Sequence, residues 1–179
     1  MSSSPAKLTY TTRSLQGILA VSTIGLAAVL IADQSPGANA ALKYGVAVGV
    51  VTFLGAVLGI LALWLPILQG LILLLADTVV LALNLAGGIL FAVKLEGVDC
   101  MNQTMEYMRD TLSHISLLNG DCPTEKLLYK CLSYDEGDGF LQRRCRWATA
   151  AAVLMFVNFI IVLVGILIEY IGGRGRVRK

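Results

Sequence analysis

Few residues in this sequence stand where they could do chemistry, and Asp77 is the first of them. It is an acid inside an otherwise apolar run, with Asn84 two helical turns further along the same face. A carboxylate and a carboxamide so placed could hold a cation or pass a proton. Asp77 could also be a protonated or hydrogen-bonded structural residue that fixes helix register. We favour the second reading, because proton relays use chains of ionisable groups and no other such group lies deep in an apolar stretch. The four cysteines are the next candidates. Cys100, Cys122, Cys131 and Cys145 all fall in one polar segment, the pattern of a disulfide set in an oxidising compartment. A zinc site fits less well, since Cys100 and Cys145 close the segment's two ends and the only histidine is His114. Asn102-Gln103-Thr104 is a glycosylation sequon. The acidic run Asp135-Glu136-Gly137-Asp138-Gly139 lacks the ligand spacing and closing glutamate of an EF-hand and reads as a solvent turn. With no HExxH, GxSxG or P-loop, the expectation is a protein that is not an enzyme and uses no cofactor or metal.

The elements that must position these residues are four apolar stretches, Leu15–Ala32, Tyr44–Leu65, Gly70–Val93 and Trp147–Ile168. A helix needs roughly 17–25 apolar residues to cross the hydrocarbon core, and all four lie inside that window. Hydrophobic residues make up 56% of the chain and charged ones 15%, which leaves no soluble catalytic domain. A net charge of +2 gives no reason to expect nucleic acid as a partner. The expected fold is all-α: a four-helix transmembrane bundle, up-down-up-down, with a disulfide-stapled external loop between spans three and four. Residues 1–40 could instead be a signal peptide cleaved near Ala38-Asn39-Ala40, but the apolar run exceeds a signal h-region and an uncleaved first span is expected.

Sidedness follows from flanking charge. Lys7 and Arg13 precede the first span without an acid, and Arg174, Arg176, Arg178 and Lys179 follow the fourth without one. Four spans place both tails on one side. The third loop is mixed, with more acids than bases, although Arg143, Arg144 and Arg146 approach the fourth span. Cysteines and sequon confined to that loop decide for an external loop and cytosolic tails. The domain reading is a cytosolic tail over 1–14, a four-span unit over 15–168 with its external loop at 94–146, and a basic cytosolic tail over 169–179. The tail bases are candidates for contact with anionic lipid headgroups.

Within the second span, Gly45-xxx-Gly49 and Gly55-xxx-Gly59 are close-packing signatures. They mark either an oligomerisation face or the seat of the chain's own first or third helix, where Gly17, Gly25, Gly87 and Gly88 offer matching surfaces. Pro66 to Gln69 makes a tight hairpin of spans two and three, and Ser35-Pro36-Gly37 turns the first loop. In the third loop Met101, Met105, Met108, Leu112, Ile115 and Leu118 share one face of a helical pattern. That face either meets lipid or a partner, or covers the outer ends of the spans. Cys122-Pro123 opens a second short helix.

Two stretches carry a family resemblance. Asp77 through Leu85-Ala86-Gly87-Gly88-Ile89-Leu90-Phe91-Ala92-Val93 to Cys100 resembles the third span of fungal MARVEL-domain proteins, in which an intramembrane Asp precedes small residues, an Ala-Val exit and a cysteine. Arg144-Cys145-Arg146-Trp147-Ala148-Thr149-Ala150 resembles the fourth-span entry of the non-classical export protein group within that family. The resemblance implies a tetraspan plasma-membrane protein with cytosolic tails. It further implies a role in organising membrane microdomains: eisosome-associated and responsive to sphingolipid status. Its partners would be membrane lipids, other membrane proteins or further copies of itself.

Nested bridges are expected. Antiparallel helices three and four bring Cys100 and Cys145 together at the membrane surface, which is also the family's pair, and Cys122 and Cys131 remain for each other. Two other functional classes compete with the organiser. One is a tetraspanin-like or claudin-like adhesion protein, although the tetraspanin Cys-Cys-Gly motif is absent. The other is a small transporter built on Asp77 and Asn84.

Overall fold

The computed structural model describes residues 5–32, 34, 39–65, 70–101, 111–112, 115–119 and 140–177. They form four long helices: α1 (Pro5–Ala32), α2 (Ala40–Leu61), α3 (Leu71–Lys94) and α5 (Phe140–Val177). A single turn of helix, α4 (Ser116–Asn119), precedes the last. All four long helices are long and apolar enough to cross a membrane. No strand occurs among the described residues.

Local chemistry sets the ends. Pro5 opens α1, where its fixed φ and missing N–H suit a first helical position. Asn39 caps α2: its Oδ1 accepts from the Ala41 N–H at 2.8 Å, and its own N–H donates to Gln34 Oε1 at 2.8 Å. The Ala38-Asn39-Ala40 sequence is thus accounted for by a helix start. Gly70 takes φ +95°, a value side chains disfavour, and turns the chain into α3. Both end helices run past the expected spans, α1 beginning at Pro5 and α5 at Phe140. Those extensions carry Arg13 and Arg144 into the bundle, where both are buried.

The helices form a ring. α1 packs on α2 and α5, and α3 packs on α2 and α5, so α1 faces α3 across the middle. The inward stripe of α1 is Arg13, Gln16, Ala20, Thr23, Ala27 and Leu30, a 3-4-3-4-3 pattern. Away from the tails the core is apolar, built from Leu30, Leu42, Phe91, Leu112, Leu117, Leu118, Ala148 and Met155. Leu112 and Leu118 therefore plug the end of the bundle away from the tails. Of the helical face proposed for Met101 through Leu118, Leu112 and Leu118 are buried and Ile115 packs against the same cluster, while Met101 is exposed. Met105 and Met108 lie outside the described residues.

Cys100 and Cys145 are joined, with Cα atoms 5.6 Å apart, tying the end of α3 to the start of the transmembrane part of α5. Cys122, Cys131, Asn102, His114 and the acidic run at 135–139 lie outside the described residues. Peptide mapping without reduction is expected to recover Cys100 linked to Cys145. Cys100 recovered with Cys122 instead would overturn the nested arrangement.

Candidate functional site

Asp77 is fully buried on α3 and is bound by Arg13 of α1. Arg13 Nη1 donates to Oδ1 at 2.6 Å and Nη2 to Oδ2 at 2.5 Å, a two-pronged guanidinium–carboxylate pair. Arg13 is only 3% exposed and also donates from Nη1 to Gln16 Oε1 at 3.2 Å. Arg13 is therefore no tail residue, and the expectation that Asp77 had no deep ionisable neighbour was wrong. A charged residue near the end of an apolar run looks like a flanking charge. The helix had in fact begun two turns earlier and carried it inside. The signal that could have found it is Arg13-x-x-Gln16, two polar residues on the stripe that Ala20, Thr23 and Ala27 continue.

Glycine makes the pair possible. A Cβ on Gly59 would lie 2.5 Å from Arg13 Nε and 2.6 Å from its Cδ, so α2 is notched where the arginine crosses toward α3. One turn further in, a Cβ on Gly55 would lie 2.9 Å from Val80 Cγ2 and 3.9 Å from Gln16 Nε2. Gly49 lies against α1, where its Cβ would be 2.6 Å from Ile24 Cγ1 and 3.3 Å from the Ala20 carbonyl. Gly45 faces Phe91, Ala27 and Met155. All four glycines of the two second-span pairs thus point into the chain's own bundle.

Asn84 lies on the same face of α3 as Asp77 and is likewise buried. Its Nδ2 donates to Thr52 Oγ1 on α2 at 2.7 Å and to the Val80 carbonyl at 2.9 Å. Nothing in the sequence singled out Thr52. Asn158 on α5 is also buried, and neither its Oδ1 nor Gln16 Nε2 has a protein partner. The tail-side half of the core is therefore a polar seam across all four helices, closed off above by apolar side chains. At the opposite end Arg144, 3% exposed, donates from Nη2 to the Leu30 carbonyl at 2.8 Å, serving the last turn of α1. Arg143 stacks on Trp147, 5.1 Å from the ring centroid. The fourth-span arginines thus have structural work that a flanking-charge reading does not see.

Chemically, the seam is compensated. Both oxygens of Asp77 are taken by one guanidinium, which leaves neither of them free to coordinate a cation. Among the described residues no three His, Cys, Asp or Glu side chains converge as metal ligands. What the arrangement does is hold α1, α2 and α3 in register, in a setting where lipid offers no hydrophobic drive for helices to associate.

A family model described as MARVEL, the membrane-associating domain, matches residues 4–168. No curated protein and no solved structure matches the chain.

Proposed function

This chain belongs to the MARVEL family of membrane-associating domains, and we propose that it is a non-enzymatic organiser of membrane microdomains. It is an integral membrane protein of four spans. One observation carries the reading: the only acid deep in a span is buried and doubly bound to Arg13, so the polar core is spent on holding the bundle together. The activity is left to the outer surface, where apolar helix faces meet lipid. The fungal resemblance supports the finer version, a plasma-membrane protein of the non-classical export group, eisosome-associated and sphingolipid-responsive. Tagged protein imaged in its own cell should form stable plasma-membrane patches. Enrichment at cell contacts would favour adhesion instead. Flux in reconstituted vesicles that changes in Asp77→Asn would favour transport.

Both tails are proposed to be cytosolic and the third loop external. Four spans put the tails together, and the basic end at Arg174, Arg176, Arg178 and Lys179 suits an anionic cytosolic leaflet. Arg13 and Arg144, one on each side, drop out of the flanking count because both are buried. Protease added to intact cells should cleave the third loop and spare a C-terminal tag. Loss of the tag would reverse the orientation.

A further inference from the structure

From Tyr44 to Ala76 the sequence carries no charged residue, and that stretch includes the whole connection between α2 and α3. A connection bathed in water is ordinarily polar. Here the described tip residues are apolar and bare. Trp64 is 81% exposed and Leu71 71%, with Leu63, Leu65 and Ile72 also exposed.

Their depth follows from the ion pair. Gly59, Arg13 and Asp77 touch and so share one level. Trp64 beyond Gly59, Leu71 before Asp77 and Lys7 before Arg13 are each displaced from it by about 8–9 Å toward the tails, at 1.5 Å per residue. The tip is therefore flush with Lys7, the first charge of α1, and close to the exposed Tyr10. Basic residues and aromatic rings at one level are the mark of a membrane–water boundary.

We infer that the tip of the α2–α3 hairpin is a lipid-contact site, seated in the headgroup–acyl boundary of the tail-side leaflet with Trp64 as its anchor. The indole offers an apolar body to the acyl chains and an N–H to lipid carbonyl or phosphate oxygens. Leu63, Leu65, Leu71 and Ile72 supply the apolar area around it. No charged residue along the connection draws it into water. Lys7 places positive charge beside the tip, complementary to an anionic leaflet. The inference rests on the four-span fold and not on the organiser reading, so it and the imaging experiment fail independently.

The sequence holds two tryptophans, and Trp147→Phe leaves Trp64 as the only indole. Should that variant fold poorly, Trp147→Tyr keeps an aromatic face for Arg143, and excitation selective for indole still isolates Trp64. The protein is reconstituted in phosphatidylcholine vesicles containing acyl chains brominated at different depths. Most of the Trp64 emission should be lost to bromines near the top of the chain. Less should be lost to bromines near its end, and little to acrylamide in the water. Quenching by acrylamide without quenching by brominated lipid would put the tip in water and overturn the proposal. Protection from both quenchers would bury Trp64 against protein, a second copy included, and overturn it equally.

Discussion

Asp77→Leu is expected to destabilise the folded bundle by roughly 3–5 kcal/mol, as is Arg13→Met, because each leaves a buried charge without its counter-ion. The larger share of that loss is the stranded partner and not the contact itself. The double variant Arg13→Met with Asp77→Leu should therefore recover most of it, since a close-fitting apolar pair can replace a buried ion pair at little cost. Asp77→Asn should fall between wild type and Asp77→Leu: it keeps an acceptor for the guanidinium but leaves its charge uncompensated. Unfolding titrations in mixed micelles would measure wild type, the two single variants and the double as a thermodynamic cycle, with Asp77→Asn beside it. Single variants as stable as wild type, or a double variant as damaged as the two singles together, would show that the pair does not hold α1 to α3.

That cycle tests something a single sequence could not display. The four spans were legible because length and apolarity of one helix suffice to recognise them. Asp77 and Asn84 could be assigned to the bundle interior because a polar group in hydrocarbon has few other places to go. Their partners were not legible. Arg13 is distant in sequence, and its pairing crosses the ring between helices that are not neighbours in the packing order. No periodicity within one helix encodes such a contact. Thr52 was hidden for a plainer reason: a hydroxyl is unremarkable in a span until the amide opposite is known. Arg144 was misread in the same way as Arg13, as a charge beside the membrane, when it serves the carbonyl end of α1. The glycine pairs were visible at once, but the spacing could not say whether they faced another copy or the chain's own helices.

The direction of the glycines leads to the second large effect. Gly49→Leu should destabilise the bundle by about 3 kcal/mol, the upper end of what overpacking usually costs. Even its Cβ would meet the Ala20 carbonyl at 3.3 Å, and a backbone atom cannot rotate aside as Ile24 can. α1 and α2 must then move apart, which also pulls Arg13 away from Asp77 and couples this variant to the ion pair. Gly59→Ala strikes the arginine itself, so its cost should shrink when Arg13→Met removes the guanidinium. Gly25→Leu is the control. Gly25 is on α1, the helix Gly49 packs against, but points outward, with nothing within 4 Å of a Cβ built there. Its substitution should leave stability unchanged, within the roughly ±0.5 kcal/mol of an ordinary surface change. Thermal unfolding and size-exclusion chromatography of the variants separate folding from association. If Gly49→Leu kept full stability but changed only the oligomeric state, the second-span glycines would be serving another copy, and the packing of α2 on α1 described here would have to be given up.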